Sequence, residues 1–254
     1  MTTPAPRLGG KIALVTGAAH GLGRAIAARL IQDGARLVVA DIDQDALADL
    51  ATTYGSDAVP AQCDVTDPEA VQAAVGTATE AFGGLDIVVN NVGGDRARRL
   101  VDIEPEQWRR AMALNLDGVF YGIKYAAPVL ADRGGGAIVN ISSIAARQPG
   151  TGLSAYSTAK AAVEALTRAA ALELRADGIR VNAVIPALFD TPGAQRSRGA
   201  LERSYGADLD AFAVRRQGRW GRPEELAAVV SHLASDEASF TTGLLYLLDH
   251  GHTL

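Results

Sequence analysis

The sequence predicts an α/β protein: a parallel sheet of about seven strands covered by helices on both faces. Three observations predict it. Six short apolar runs rich in β-branched residues recur along the chain, and each is followed by a helical pattern. The runs are continuously apolar rather than alternating, as strands buried on both faces are. The chain, 254 residues with 48% hydrophobic and 21% charged residues, is long enough to fill such a core and shows no repeat or low-complexity segment.

Residues 1–9 hold prolines and small polar residues, which predicts a flexible lead-in. Residues 11–16 read as the first strand and run into Gly17-Ala18-Ala19-His20-Gly21-Leu22-Gly23. An Ala-rich helix over 24–33 follows, stopped by Gly34. Strand, glycine loop and helix form the context of a phosphate-binding loop. The glycines permit a tight turn and close approach of a pyrophosphate, and the helix N-terminus offers free N–H groups and partial positive charge. The spacing here is G-x-x-x-G-x-G rather than G-x-G-x-x-G.

The second strand, 36–40, ends at Asp41, about 20 residues beyond the loop, where a carboxylate accepts hydrogen bonds from adenosine ribose hydroxyls. The same charge repels the 2′-phosphate of NADP. Asp41 could instead cap the helix that begins near Asp43 and Gln44. His20, if protonated, could greet a phosphate; the permanent charge of Asp41 is expected to prevail, which selects NAD.

Residues 58–63 then lead to Asp64-Val65 and a helix opening at Pro68. Residues 85–89 lead to Asn90-Asn91-Val92-Gly93-Gly94. A helix is expected over 105–113 and a longer one over 114–131, kinked or ended by Pro128. The strand 137–141 stops at Ser142 and Ser143, the former read as a plain strand-end residue. After a Gly/Pro/Gln loop, a helix carries Tyr156 and Lys160 and runs to about residue 176. Residues 179–185 are a strand ending at Pro186. Residues 187–222 break the rhythm, with one possible helix, and predict a segment that covers a substrate. A helix opens at 223–225, and 244–248 reads as a last short strand.

In such sheets the site lies beyond the carboxyl ends of the strands. The glycine loop, Asp41, Asp64, Asn91, Ser143 and Pro186 all stand there. Tyr156 and Lys160, four residues apart, share one helix face. An ammonium beside a phenol favours the phenolate. Moving a phenol from about 10 to about 7 takes roughly 4 kcal/mol, which a partly buried lysine helped by a bound cationic ring can supply.

The net charge of −5 argues against a general binder of nucleic acid or anionic membrane. Two arginine clusters (Arg96, Arg98, Arg99; Arg215, Arg216, Arg219, Arg222) are expected to be solvated loop charge. Cys63 is the only cysteine, so no intrachain disulfide forms, and a small core role is expected. Neither a signal peptide nor an 18-residue apolar run is seen, so the expectation is a cytoplasmic protein without a membrane span. His20, His232, His250 and His252 lack metal-site spacing on one element, His250-Gly251-His252 is expected to be a surface tail, and no catalytic metal is expected. The helices after Asn115 and from Tyr156 are apolar on more than one face (Val119, Phe120, Ile123, Tyr125; Ala162, Val163, Ala165, Leu166), which suggests burial in a homo-oligomer.

Taken together, these motifs resemble the classical short-chain dehydrogenase/reductase family over almost the whole length. Thr16-Gly17-x-x-x-Gly21-Leu22-Gly23 resembles its cofactor loop and Asn90-Asn91-Val92-Gly93 its NNAG motif. Asn115 matches the helix asparagine, Ser143 the serine thirteen residues before Tyr156, Tyr156-x-x-x-Lys160 the defining pair, and Pro186 to Thr191 the PGxxxT segment. The resemblance implies one domain over 1–254 with a Rossmann-type, doubly wound sheet. It implies Tyr156 as general acid/base, Ser143 as binder of the substrate oxygen together with Tyr156, Lys160 as the group that lowers the Tyr156 pKa and holds the nicotinamide ribose, and Asn115 as the anchor of a relay water. It implies cofactor contacts from Gly17, Gly21, Leu22, Gly23, Asp41, Asp64, Val65, Asn91, Gly93, Tyr156, Lys160, Pro186, Leu188 and Thr191, with Asp64 and Val65 flanking the adenine. The expected activity is hydride transfer between NAD(H) and a medium-sized, fairly apolar secondary alcohol or ketone, by a homotetramer or dimer. An NADPH-dependent 3-oxoacyl-type reductase and a non-catalytic dinucleotide-binding regulator are the alternatives. Val92, Ala187 and His250 depart from the family pattern, at positions that usually hold Ala, Gly and Gly.

Overall fold

Every residue of the strand Ile12–Thr16 (β1) is buried, and its side chains alternate between two cores. Ala13 and Val15 face one side; Ile12 and Leu14 face the other. The computed structural model describes residues 6–94 and 96–254. Strands β2 (Arg36–Asp41), β3 (Ala58–Gln62), β4 (Ile87–Asn90), β5 (Gly136–Ile141), β6 (Ile179–Pro186) and β7 (Leu245–Leu248) join β1 in one seven-stranded sheet. The order is β3-β2-β1-β4-β5-β6-β7, and all pairs are parallel.

Helices fill the crossovers. Helices α1 (Gly21–Gln32), α2 (Gln44–Tyr54) and α10 (Pro223–Ala234) contribute Ile26, Leu30, Leu47, Leu50, Leu226 and Val230 to one core. Helices α3 (Pro68–Phe82), α5 (Gly118–Asp132) and α6 (Ser154–Glu173) contribute Val71, Val75, Val119, Ile123, Leu130 and Val163 to the other. The chain winds outward from β1 to β3 and then returns to β4 on the other side of β1. The crevice between the ends of β1 and β4 is therefore the topological switch point.

Five local expectations change. The first helix starts at Gly21 rather than 24, because the glycine loop itself forms its first turn. Helix α4 (Pro105–Met112) does not break from α5: a π-helical segment, Ala113–Asp117, joins them and carries Asn115. Such π turns are often found at functional sites. Pro128 lies inside α5, which continues to Asp132. Of the expected lead-in, residues 1–5 lie outside the described residues, while Leu8 is buried and its N–H bonds the Asp33 carbonyl at 2.8 Å. The 187–222 segment holds three short helices, α7 (Pro192–Arg196), α8 (Arg198–Tyr205) and α9 (Leu209–Gln217). Among the described residues, no helix is long and apolar enough to cross a membrane.

A buried polar chain ties the central strands to α6. Asn90 Nδ2 donates to Asn140 Oδ1, and Asn140 Nδ2 donates to Thr167 Oγ1, both at 2.9 Å. Thr167 in turn donates to the Val163 carbonyl at 2.8 Å. An unmet buried donor costs about 1–3 kcal/mol. Asn140→Leu, which strips Asn90 of its acceptor, is therefore expected to lower the urea-unfolding free energy by about 2 kcal/mol; an unchanged midpoint would show that the chain is not needed.

Candidate active site

The switch-point crevice is built first by backbone. A Cβ at Gly23 would collide with the Gly17 carbonyl oxygen, so the first turn of α1 can close on the loop only with glycine there. Helix α1 has no side-chain cap. Its first N–H groups therefore remain open to an anion. Asn91 latches the end of β4 to the loop: its Nδ2 donates to the carbonyls of Thr16 and Gly17 at 3.0 and 3.2 Å.

Asp41 does not cap α2. Asp43 does, accepting from the Ala46 N–H at 3.1 Å. Asp41 instead accepts from Ala19 N–H at 3.0 Å and Asp43 N–H at 3.2 Å, one bond to each carboxylate oxygen. It is thereby fixed at the end of β2 with lone pairs to spare. His20, the candidate phosphate partner, turns to Asp43 at 2.9 Å. That hydrogen bond, followed by the Ala46 N–H, holds the Asp43 carboxyl below its ordinary range.

Around this crevice lies a cavity of about 430 Å³, lined by Gly17, Gly21, Leu22, Asp41, Asp64, Val65 and Asn91 among others. A second cavity of about 430 Å³ adjoins it, with Leu22, Asn91, Gly93, Thr191 and Arg196 lining both. Ser143, Tyr156, Lys160, Pro186 and Leu188 face the second cavity, under Leu201 and Tyr205 of α8. A larger cleft of about 650 Å³ lies at the opposite end of the strands, among Lys11, Asp86, Arg133 and Arg180. Its charges are largely matched, as in Lys11–Asp236 and Arg133–Asp86, and it gathers no comparable acid/base set.

Ser143 stands two residues beyond β5 and caps a short 3₁₀ turn, its Oγ accepting from the Ala145 N–H at 3.1 Å. Its own O–H is left to donate elsewhere. Tyr156 lies in the first turn of α6. One turn on, Lys160 is 2% exposed; its Nζ donates to the Ile141 carbonyl at 2.8 Å and sits 5.8 Å from the Tyr156 ring centre. Burial pulls its pKa from 10.5 down to about 8. Asn115, buried on the π turn, accepts from Gly94 N–H and donates to the carbonyls of Gly94 and Ala111, each at 2.9 Å. Gly93 lies against both: a Cβ there would stand 2.7 Å from Lys160 Nζ and 3.0 Å from Asn115 Oδ1. Thus β5, α6, the π turn and the β4 loop bring Ser143, Tyr156, Lys160 and Asn115 to one place.

A family model described as Enoyl-(Acyl carrier protein) reductase matches residues 17–253. The cyclohexanol dehydrogenase of Acinetobacter sp. (strain SE19) is 38% identical over 248 residues, 96% of this chain and 95% of that protein. The cis-4-hydroxycyclohexanecarboxylate dehydrogenase of Sinomonas cyclohexanicum is 40% identical over 248 residues, 96% of each. The crystal structure of a 3-ketoacyl-(acyl-carrier-protein) reductase from Brucella melitensis complexed with NADH superposes with a TM-score of 0.87 at 31% identity, covering 97% of this chain and 100% of that one. The chain belongs to the classical short-chain dehydrogenase/reductase family.

Members of this family are oxidoreductases that bind a nicotinamide dinucleotide. The residues present fit that group: a glycine-lined turn, an uncapped helix N-terminus and a fixed carboxylate follow one another along the crevice. The departures from the family pattern also have local accounts. His250 adopts φ +47°, the left-handed region glycine favours, and its Nδ1 donates to the Gln217 carbonyl at 2.6 Å. Ala187 keeps its sheet bond, its N–H donating to the Leu248 carbonyl at 3.1 Å. Val92 is half-buried beside the dinucleotide crevice.

Several supporting residues escape sequence reasoning. Ser142, read as a plain strand end, is buried; its Oγ donates to the Lys160 carbonyl at 3.1 Å and lies 3.4 Å from Glu164, which pairs with Arg147 at 3.4 Å. The spacing of Glu164, one turn after Lys160, was the available signal. The His250-Gly251-His252 stretch is not a surface tail: His252 is buried and its Nδ1 donates to Gln217 Oε1 at 3.3 Å. Gln217 also exchanges bonds with Leu188, accepting from its N–H at 3.0 Å and donating to its carbonyl at 2.7 Å. Nor is the second arginine cluster merely solvated. Arg219 pairs with Glu225 at 2.6 Å, and Arg216 donates to Gln148 at 2.9 Å. Cys63 is buried, and burial, then Asp64, pushes its thiol up to about 11.

Lys160 exerts a cost on the fold. A fall from 10.5 to about 8 corresponds to roughly 3 kcal/mol against the charged, buried form at pH 7. The unfolded lysine keeps its proton to 10.5 and the folded one only to about 8, so the wild type gains stability as pH rises through that window. Lys160→Met, without bound dinucleotide, is expected to be about 1–3 kcal/mol more stable than wild type at pH 7, the lost Ile141 bond offsetting part of the gain. Urea titrations at pH 7 and pH 10 check this: the difference should shrink at the higher pH, and a less stable variant at pH 7 would show that burial is not the controlling effect.

Proposed function

We propose that the protein transfers a hydride between NAD(H) and a medium-sized, fairly apolar secondary alcohol or ketone, with cyclic alcohols foremost. The convergence of Ser143, Tyr156 and Lys160 on one cavity, adjoining a dinucleotide crevice that ends in Asp41, carries the reading. The names of the cyclohexanol and hydroxycyclohexanecarboxylate dehydrogenases support the substrate class.

The dinucleotide, when bound, supplies the hydride acceptor or donor. Tyr156 Oη takes the alcohol proton during oxidation and returns it during reduction. Ser143 donates its free O–H to the substrate oxygen as negative charge develops there. Lys160, while charged, favours the Tyr156 phenolate. Asn115 holds the Gly93-Gly94 turn beside Lys160, and its Oδ1 keeps a lone pair for a relay water. The dinucleotide would be held by Gly17, Gly21, Leu22 and Gly23 at its pyrophosphate and by Asp64 and Val65 at its adenine, with further contacts from Asn91, Gly93, Pro186, Leu188 and Thr191. The Asp41 carboxylate opposes a 2′-phosphate, and His20, engaged with Asp43, does not offset it. Residues 187–222 cover the substrate. The apolar groove between α5 and α6, with Phe120, Ile123, Ala127 and Leu166, is where a second subunit packs in a dimer or tetramer.

The family-model description and the Brucella reductase keep the 3-oxoacyl-type reductase as the second reading. Paired titrations with NADH and NADPH, followed by turnover on an alcohol and ketone panel, separate the two. NAD(H) preference with alcohol oxidation is expected; NADP(H) preference overturns the selector role of Asp41 and favours the reductive reading. Binding without any turnover would favour a regulator. Tyr156→Phe should lose about 10²-fold or more in kcat, as removal of a general acid/base does. Asp41→Ala should narrow the NAD-over-NADP preference by about tenfold, the equivalent of one lost repulsion of about 1.4 kcal/mol.

A further inference from the structure

Tyr205 ends α8 and lines the same cavity as Ser143, Tyr156 and Lys160. Its ring is held from several sides. It stacks on Phe212 with centroids 4.3 Å apart and planes 11° from parallel. Phe212 is met edge-on by the buried His252 at 5.7 Å. The loop after Ser143 closes on it as well: Thr151 N–H bonds the Ser204 carbonyl at 3.3 Å, and a Cβ at Gly150 would lie 3.1 Å from the Tyr205 ring.

The hydroxyl is treated differently from the ring. It makes no hydrogen bond to any described residue, and the side chain is half-buried. Burial, and then the nearby Tyr156, push its pKa up, so it remains a protonated donor across the working range. Much of the surrounding wall is apolar: Ile144, Ala145, Leu153, Leu188 and Leu201. A ligand that covers this hydroxyl without bonding it leaves a desolvated donor. A site with such a group discriminates against the analogue that lacks the matching oxygen.

We propose that Tyr205 is a specificity-determining residue whose hydroxyl donates a hydrogen bond to a second oxygen of the substrate, remote from the reacting carbon. The preferred substrates are then cyclic secondary alcohols or ketones that carry a further hydroxyl or carbonyl. This rests on the dehydrogenase reading above and narrows its substrate class. Tyr205 supplies no proton to the reaction and is not part of the acid/base set.

The test compares kcat/KM, with NAD⁺, for cyclohexane-1,4-diol and for 4-methylcyclohexanol, which matches it in size but lacks the second oxygen. The wild type should prefer the diol beyond its twofold statistical advantage. Tyr205→Phe keeps the ring stack and should lower the diol value roughly tenfold, the loss expected for one neutral hydrogen bond, while changing the methyl analogue by no more than about twofold. Equal losses on both substrates, or no loss on either, would overturn the proposal. If Tyr205→Phe folds poorly, the wild-type comparison decides: no preference for the diol also overturns it. Wild-type enzyme that oxidises no alcohol at all defeats the dehydrogenase reading itself, whereas turnover without discrimination defeats only the role of Tyr205.

Discussion

A parallel sheet buried on both faces constrains everything else in this protein. Each strand of the sheet must return through a crossover, so every strand points the same way and all seven carboxyl ends meet at one edge. Helices then cover both faces, and the polar groups needed for chemistry are pushed to that edge or paired inside. The chain Asn90–Asn140–Thr167 shows the second solution; Asp41, Asn91 and Ser143 show the first.

Within that edge, Lys160 concentrates the conflict between stability and chemistry. Its ammonium is nearly excluded from water and is held by the Ile141 carbonyl. Desolvation weakens its hold on the proton. The same desolvation strengthens its field on its neighbours, because water no longer screens it. Ser142, bonded to the Lys160 carbonyl and close to Glu164, fixes the register of α6 on β5. Through that contact the strand that leads to Ser143 and the helix that carries Tyr156 keep a common frame.

The covering segment is anchored rather than merely draped. Gln217 binds both backbone groups of Leu188 and receives the rings of His250 and His252. The end of β6, the helices above the cavity and the chain's last turn are thereby joined through one buried residue, by its side-chain amide and its main-chain carbonyl. His250 takes the backbone shape of a glycine while adding a hydrogen bond that glycine could not make.

The strands and the order of the motifs were legible in the sequence because buried parallel strands leave continuous apolar runs, and the glycine loop, Tyr156 and Lys160 sit at fixed spacing from them. The π turn was not legible: the sequence reads as two helices, 105–113 and 114–131, and one extra residue per turn leaves no compositional mark at their junction. Ser142, Glu164, Gln217 and Tyr205 were also hidden. By itself the sequence determined the fold class, the edge on which the site forms and the chemical groups brought to it, since these follow from local periodicity and residue type. Only the tertiary structure decided that His20 serves Asp43, that Asp41 is locked by two backbone N–H groups, that Leu8 and His252 are interior, and that Tyr205 faces the cavity of Tyr156. Each of those depends on residues far apart in the chain meeting in space, and no local pattern encodes such a meeting.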